Sequence, residues 1–212
     1  MKVLNTFALK MIAVIAMLVD HVGMMFFPDM IAFRIVGRVA FPIFAYTLVE
    51  GFFYTKNKMH YLIRLGIFAF VSEITFDLAG SGKLFDWEYQ NVYFTLFLGL
   101  VMLIGITNTS QKWMQYLIAI LTMIVSRVLH TDYDALGIIT IWIFYWLRNN
   151  HVAKMICFGI VMACSNLVQT VAALAIIPIS LHNGKQGPKW KYFFYLFYPV
   201  HFIVLYVLKL IL

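Results

Sequence analysis

A chain of 212 residues that is 63% apolar and only 12% charged carries more apolar surface than a water-soluble core could hide, because soluble domains are about half apolar and a quarter charged. That excludes a disordered protein, a disulfide-rich secreted scaffold and an ordinary soluble enzyme, and it leaves one compact, all-α integral membrane domain over residues 1–212. The formal charge of +7 suits the loops of such a protein, where Lys and Arg collect on the cytoplasmic side; with no hydrophilic basic domain, no nucleic-acid partner is expected.

At about 20 apolar residues per membrane span, the chain reads as a bundle of about nine transmembrane helices: roughly residues 7–27, 31–54, 59–79, 91–108, 113–130, 134–148, 152–166, 168–182 and 192–211. The first segment follows Lys2 and Lys10 as a signal peptide would, but no small-residue cleavage site comes after it, so it reads as a retained helix. Residues 134–182 read either as three short helices or as two with a re-entrant piece. With Lys2 inside, the alternate loops carry Lys56 and Lys58, Lys112, Arg148 and Lys154, then Lys185, Lys189 and Lys191, while most opposite loops lean acidic. This bias predicts a cytoplasmic N-terminus and an external C-terminus. Strong turn chemistry is confined to HNGKQGPKWK at 182–191. Cys157 and Cys164 are too few for a zinc cluster and, at about 10 Å apart on one helix, too far apart for a disulfide.

The informative residues are therefore ionisable groups inside spans, each costing about 2.5–3.5 kcal/mol at a helix centre on insertion scales. The first span holds Asp20 and His21, the second Arg34, Arg38 and Glu50, the third Arg64, Glu73 and Asp77, the fifth ends in Arg127 and His130, and the last holds His201. Lys10 and His21 are eleven residues apart, which puts them on one helix face about 16 Å apart along the axis. A cation at one end of a face and an imidazole deep on it suit a long anionic donor; snorkelling of Lys10 and simple packing of His21 explain the same pattern. Asp20 reaches Arg34 or Arg38 across helices more easily than it orients His21. Arg34 and Arg38 share a face, as do Glu73 and Asp77. With Asn91 and Asp132 these form an outer polar layer, which serves either as a site or as ion pairs fixing the helices. Pro42 and Pro199 fall inside spans and predict kinks. There is no P-loop, dinucleotide fingerprint, HExxH, CxxC or nucleophile elbow.

The strings LKMIAVIAMLVDHVG at 9–23, FRIVGRVAFPIFAYTLVEGF at 33–52, YLIRL at 61–65, NVYFTL at 91–96 and LHNGKQGPKWKYFFYLFYPVH at 181–201 resemble the TraX family, bacterial membrane proteins named for the F-pilin acetylase of conjugation systems. Gln186 departs from the resemblance, because the family more often carries Arg in this loop. The Lys10-x10-His21 spacing also resembles the Arg/Lys-x10-His motif of the wider class of transmembrane acyltransferases. The resemblance implies a multi-pass protein of the bacterial cytoplasmic membrane. It would move acetyl from cytoplasmic acetyl-CoA to an acceptor on the far side: a pilin or peptide N-terminus, a glycan or a lipid amine. Membrane lipids are the other expected partners. His21 is then the expected general base or acyl carrier, with Asp20 and Arg38 as the other catalytic candidates. Lys10, Asn183, Lys185, Tyr198 and His201 are the candidates for holding the donor, and Arg34, Glu50, Glu73, Asn91 and Asp132 for the acceptor. Arg38, Asn91 or Tyr198 could stabilise an oxyanion. An exporter of a small peptide or solute, and a non-enzymatic assembly factor, are the competing readings.

Overall fold

The computed structural model describes residues 2–212. Among these the regular structure is helical, with two isolated bridges, Leu4 to His182 and Gln90 to Thr131. In chain order the helices are α1 (Thr6–Phe26), α2 (Ile31–Gly37), α3 (Ala40–Tyr54), α4 (Lys58–Gly80), α5 (Val92–Thr107), α6 (Lys112–Val128), α7 (Asp134–Trp146), α8 (His151–Ala163), α9 (Leu167–Thr170), a 3-10 turn (Val171–Ala175), α10 (Ile176–Ser180) and α11 (Lys191–Ile211). Among the described residues, Thr6–Phe26, Ile31–Tyr54 and Lys191–Ile211 are long and apolar enough to cross a membrane. The exposed faces are oily: α6 presents Leu117, Ile120, Leu121 and Ile124, and α11 presents Val200, Ile203, Val204 and Val207. Apolar faces of this length are stable against lipid and not against water.

Asparagine sets many of the helix starts. Asn5 opens α1, Asn57 α4, Asn91 α5, Asn150 α8 and Asn166 α9, each accepting from a backbone N–H in the first turn. These side chains satisfy donors that a helix leaves orphaned. The second predicted span is interrupted: α2 ends at Gly37, residues 38 and 39 form a turn, and α3 begins at Ala40. Pro42 therefore lies in the first turn of a new helix, where its missing N–H costs nothing, and not inside a kinked continuous one. Pro199 does lie within α11. The 134–182 stretch resolves into α7, α8 and a third segment broken into α9, the 3-10 turn and α10.

The chain forms two compact units, one from the N-terminus to Thr47 with Asn150–Leu212, the other Leu48–Asn149. In the first, α1 packs on α2 and α11, and α8 packs on the broken segment that follows it. The start of α1 is tied to the 181–187 loop: Leu4 donates to Leu181, Asn183 to Leu4, Thr6 to Lys185 and Phe7 to Gln186, all through backbone atoms at 2.8–3.1 Å. In the second, α4 packs on α5, while α5, α6 and α7 pack on one another.

The α1–α2 contact is close because glycines face it. A Cβ on Gly37 would lie 2.2 Å from the Cβ of Asp20, and one on Gly23 would lie 2.1 Å from that of Phe33. Small residues let membrane helices approach in this way. Gly37→Ala gains helix propensity of about 1 kcal/mol but overpacks the contact at a cost of about 1–3 kcal/mol. Thermal unfolding in detergent is expected to show a net loss, whereas Gly80→Ala, with open space at its Cβ, is expected to be neutral or stabilising.

Candidate functional site

In the first unit, α1 brings Asp20 and His21 onto adjacent faces, and each finds a different partner. Asp20 Oδ1 lies 3.1 Å from Nη1 of Arg34, and Oδ2 lies 3.0 Å from Nη2 of Arg38. One carboxylate thus serves two guanidiniums, as the sequence anticipated for Asp20. Arg38 is the deeper of the two, its side chain 11% exposed against 36% for Arg34. Both arginines also line a cavity of about 750 Å³ whose far side is Ser165, Asn166, Gln169 and Thr170.

His21 meets His201 of α11, with Nδ1 and Nε2 2.6 Å apart. His201 Nδ1 lies 2.9 Å from the Phe197 carbonyl. A carbonyl can only accept, so His201 carries its proton on Nδ1 and its Nε2 is an acceptor. His21 must then donate from its own Nδ1, which leaves His21 Nε2 as a bare lone pair. Three aromatic residues hold the pair. Phe197 stacks on His201 at 5.3 Å, Phe202 lies 4.4 Å from each ring, and Tyr198 stands edge-on to both. Chemically, this is an imidazole with a fixed tautomer, a free basic nitrogen and an orienting neighbour, the arrangement needed by a general base or a nucleophile.

At the other end of α1, Lys10 lies over the Phe194 ring at 5.4 Å. Asn183 accepts from the Lys185 backbone N–H at 2.9 Å; the Lys185 side chain is exposed. Beside them is a buried group that the sequence does not mark as a candidate. His182 bonds Thr6 Oγ1 at 3.1 Å through Nε2 and the Tyr46 hydroxyl at 2.9 Å through Nδ1. Lys154, only 3% exposed, lies over the Tyr46 ring at 5.1 Å. His182 ends the eighth predicted segment and Lys154 reads as a loop cation, so neither stands out in the sequence as a polar residue within a span.

The other candidates belong to the second unit. Glu50 pairs with Arg148 Nε at 3.1 Å, and Arg148 lies over Phe53 at 4.2 Å. Glu73 accepts from the backbone and side-chain N–H groups of Asn91, which also donates to the Ala69 carbonyl. Asp132 accepts from the Tyr89 hydroxyl at 2.6 Å. Arg127 reaches Asp134 at 3.6 Å rather than Asp132. Each of these carboxylates ties two elements together. In the connection after α4, the Glu88 backbone N–H donates to Asp86 at 3.2 Å, and with Lys83 it holds that carboxyl below its ordinary value.

Helix composition and the buried polar pairs define a helical membrane protein in which α1 holds Asp20 against Arg34 and Arg38 and His21 against His201. The chain belongs to the TraX family, whose profile matches residues 6–209. It is 29% identical to the Probable fimbrial assembly protein FimC, serogroup H1, of Dichelobacter nodosus, over 95% of this chain and 94% of that one. It is 26% identical to Protein TraX of Escherichia coli over 95% of this chain and 86% of the relative. A shorter likeness, 43% identity over 26% of this chain and 22% of the other, links it to the uncharacterized protein RP591 of Rickettsia prowazekii. No solved structure matches the chain.

Removing one partner of a buried ion pair leaves an uncompensated charge and costs about 3–5 kcal/mol. Asp20→Ala, which strands two guanidiniums, is expected to fall in that range by thermal unfolding. Arg34→Gln is expected to cost well under half as much, because its side chain is partly exposed and solvent screens the pair. Equal losses in the two variants would mean that Arg34, and not the more buried Arg38, is the main partner of the carboxylate.

Proposed function

We propose that this chain is a membrane-embedded acetyltransferase. It moves acetyl from cytoplasmic acetyl-CoA to an acceptor amine, such as a pilin or secreted-peptide N-terminus, or to a hydroxyl on the outer side. The observation that carries this reading is the Phe197–His201–His21 hydrogen-bond chain, which leaves Nε2 of His21 basic. Family membership supports it, and one relative is named a probable fimbrial assembly protein.

The proposed chemistry uses that nitrogen. As the acceptor amine attacks the thioester carbonyl, His21 Nε2 takes its proton; the C–N bond forms and the C–S bond breaks. The departing CoA thiolate then recovers the proton from the imidazolium, giving the acetylated acceptor and free CoA. His201 holds the ring in the required tautomer, so it is a positioning residue here and not the donor-binding one the sequence suggested. Arg38 lies on the Asp20 side of α1 and could stabilise charge developing on the carbonyl oxygen. The donor's phosphates suit the opposite end, where Lys10, Lys185 and the buried Lys154 supply cations. That end lies about 16 Å along α1 from His21, a separation that suits the pantetheine arm.

This reading needs nine membrane crossings with the N-terminus inside and the C-terminus outside, in the bacterial cytoplasmic membrane. The loop charges support that orientation. A cysteine introduced at Leu84 or Asp132 is expected to react with an impermeant thiol reagent in intact cells, while one at Asn57 or Gln186 stays protected. The reverse pattern overturns the inward route for the donor.

With purified protein in detergent and labelled acetyl-CoA, His21→Gln is expected to lower turnover at least about a hundredfold. Acetyl-CoA should still raise its melting temperature, since a ligand of the folded state stabilises by mass action. His201→Gln is expected to lower kcat about tenfold or more with little change in KM and to shift the pH profile of kcat. Lys10→Ala should instead raise KM for the donor. Full turnover in His21→Gln sinks the assignment of His21 as the base, whereas no turnover in the wild type favours a non-enzymatic assembly role.

A further inference from the structure

The cavity beside Asp20 has a composition that specifies what it holds. Two guanidiniums share one carboxylate there, so the cluster carries a positive charge in a largely apolar unit. Arg34 meets Asp20 through Nη1 alone, which leaves most of its five-donor fork available. Such a fork recognises carboxylate or phosphate by paired hydrogen bonds. Across the cavity the demand is opposite. The Oε1 of Gln169 is buried and has no hydrogen-bond donor, although Gln169 lines the same space. A buried amide oxygen left unpaired costs about 1–3 kcal/mol, so it calls for an N–H group. Several other polar groups on that wall are engaged within the protein. Ser165 donates to the Met162 carbonyl, Thr170 to the carbonyls of Met162 and Asn166, and the Asn166 side chain accepts from the Gln169 backbone.

We infer that the Arg34/Arg38 cavity binds a short acidic peptide end, with a carboxylate on Arg34 and a backbone N–H on Gln169 Oε1. This rests on the acetyl-transfer reading, and it specifies the acceptor as a peptide with an acidic residue near its free amine. Three features favour it. The volume of about 750 Å³ suits a ligand of a few residues. A peptide backbone supplies the N–H that a simple phosphate lacks. Asp20, the partner of both cavity arginines, directly precedes His21 in α1.

The test is equilibrium binding to the full-length protein in a neutral detergent, without acetyl-CoA. The probes are the tetrapeptide amide Ala-Asp-Ala-Ala, its Ala-Asn-Ala-Ala counterpart and O-phosphoethanolamine. The acidic peptide is expected to bind with Kd below about 1 mM and at least about tenfold more tightly than the neutral one, a ratio typical of a lost charge-assisted hydrogen bond. Arg34→Gln should abolish that preference. Gln169→Leu should weaken both peptides alike and keep the preference, giving a second reading should the arginine variant fold poorly. Equal binding of the two peptides, no binding of either, or tighter binding of O-phosphoethanolamine overturns the inference; the last of these would make the cavity a lipid-headgroup site. Stabilisation of the wild type by acetyl-CoA is measured in parallel. Its presence with no peptide preference removes only the acceptor assignment, and its absence with a clear preference removes the acetyl-transfer reading and leaves an acidic-peptide site.

Discussion

The carboxylate of Asp20 sits where α1, the turn after α2 and the cavity wall converge, and the local arrangement of this unit depends on its charge being shared. In a bilayer an unpaired charge is expensive, and two arginines on one short helix would otherwise repel each other. With one oxygen assigned to each guanidinium, α2 is clamped to α1 at a distance only glycine allows at position 37. The same contact explains why the second apolar segment is broken. Arg38 caps α2 from the first residue of the turn, and a continuous helix would carry its side chain past Asp20 by a further step of about 100° per residue. Pro42 then starts α3 where its ring is tolerated.

At its other end, α1 is fixed by backbone atoms. The 181–187 loop runs beside residues 4–7 and exchanges hydrogen bonds with them. Gly187, at φ +72°, takes up a left-handed conformation with its Cα side against Asn5, the residue that caps α1. A side chain there would be strained by backbone and crowded by the cap. The loop that the sequence marks for its turn dipeptides is therefore a clasp on the first helix. It orders Lys10 and His182 relative to α11 through the Phe7, Trp190 and Phe194 rings. Fixing both ends of α1 is what lets one helix hold groups about 16 Å apart at constant separation.

Much of this was legible from residue order alone. Membrane character follows from composition, and the helix limits follow from apolar run length, with α1, α4 and α11 within a residue or two of expectation. Asp20's pairing was legible because few basic residues in neighbouring segments could reach it. The His21–His201 contact was not. They are 180 residues apart, and no periodicity relates the first helix to the last; each looked like a separate polar intrusion. Lys154 and His182 were hidden for a different reason. Both lie at segment ends, where charge is ordinarily solvated, and only packing shows that Lys154 in the first turn of α8 and His182 just after α10 are buried. Glu73 and Asp132 read as one outer layer from depth alone, and Glu50 as a separate acceptor candidate. Depth gives no azimuth, and each has a partner that ties secondary elements together.

The imidazole pair shows how a backbone carbonyl can set side-chain chemistry at a distance. The Phe197 carbonyl fixes the proton on His201 Nδ1; His201 Nε2 must then accept, and His21 Nδ1 must donate. Two rings away from the carbonyl, the outcome is a basic nitrogen rather than an N–H. A carboxylate in place of His201 would orient the ring equally well, but it would add a negative charge within an apolar bundle and would need its own counterion. A neutral imidazole transmits the same constraint without that charge. The aromatic residues around the pair add to this: Phe197, Tyr198 and Phe202 pack on the two rings and hold their orientation. Asp20, next in sequence to His21, is directed to the arginines instead, so the one nearby carboxylate on α1 does not compete for the His21 proton.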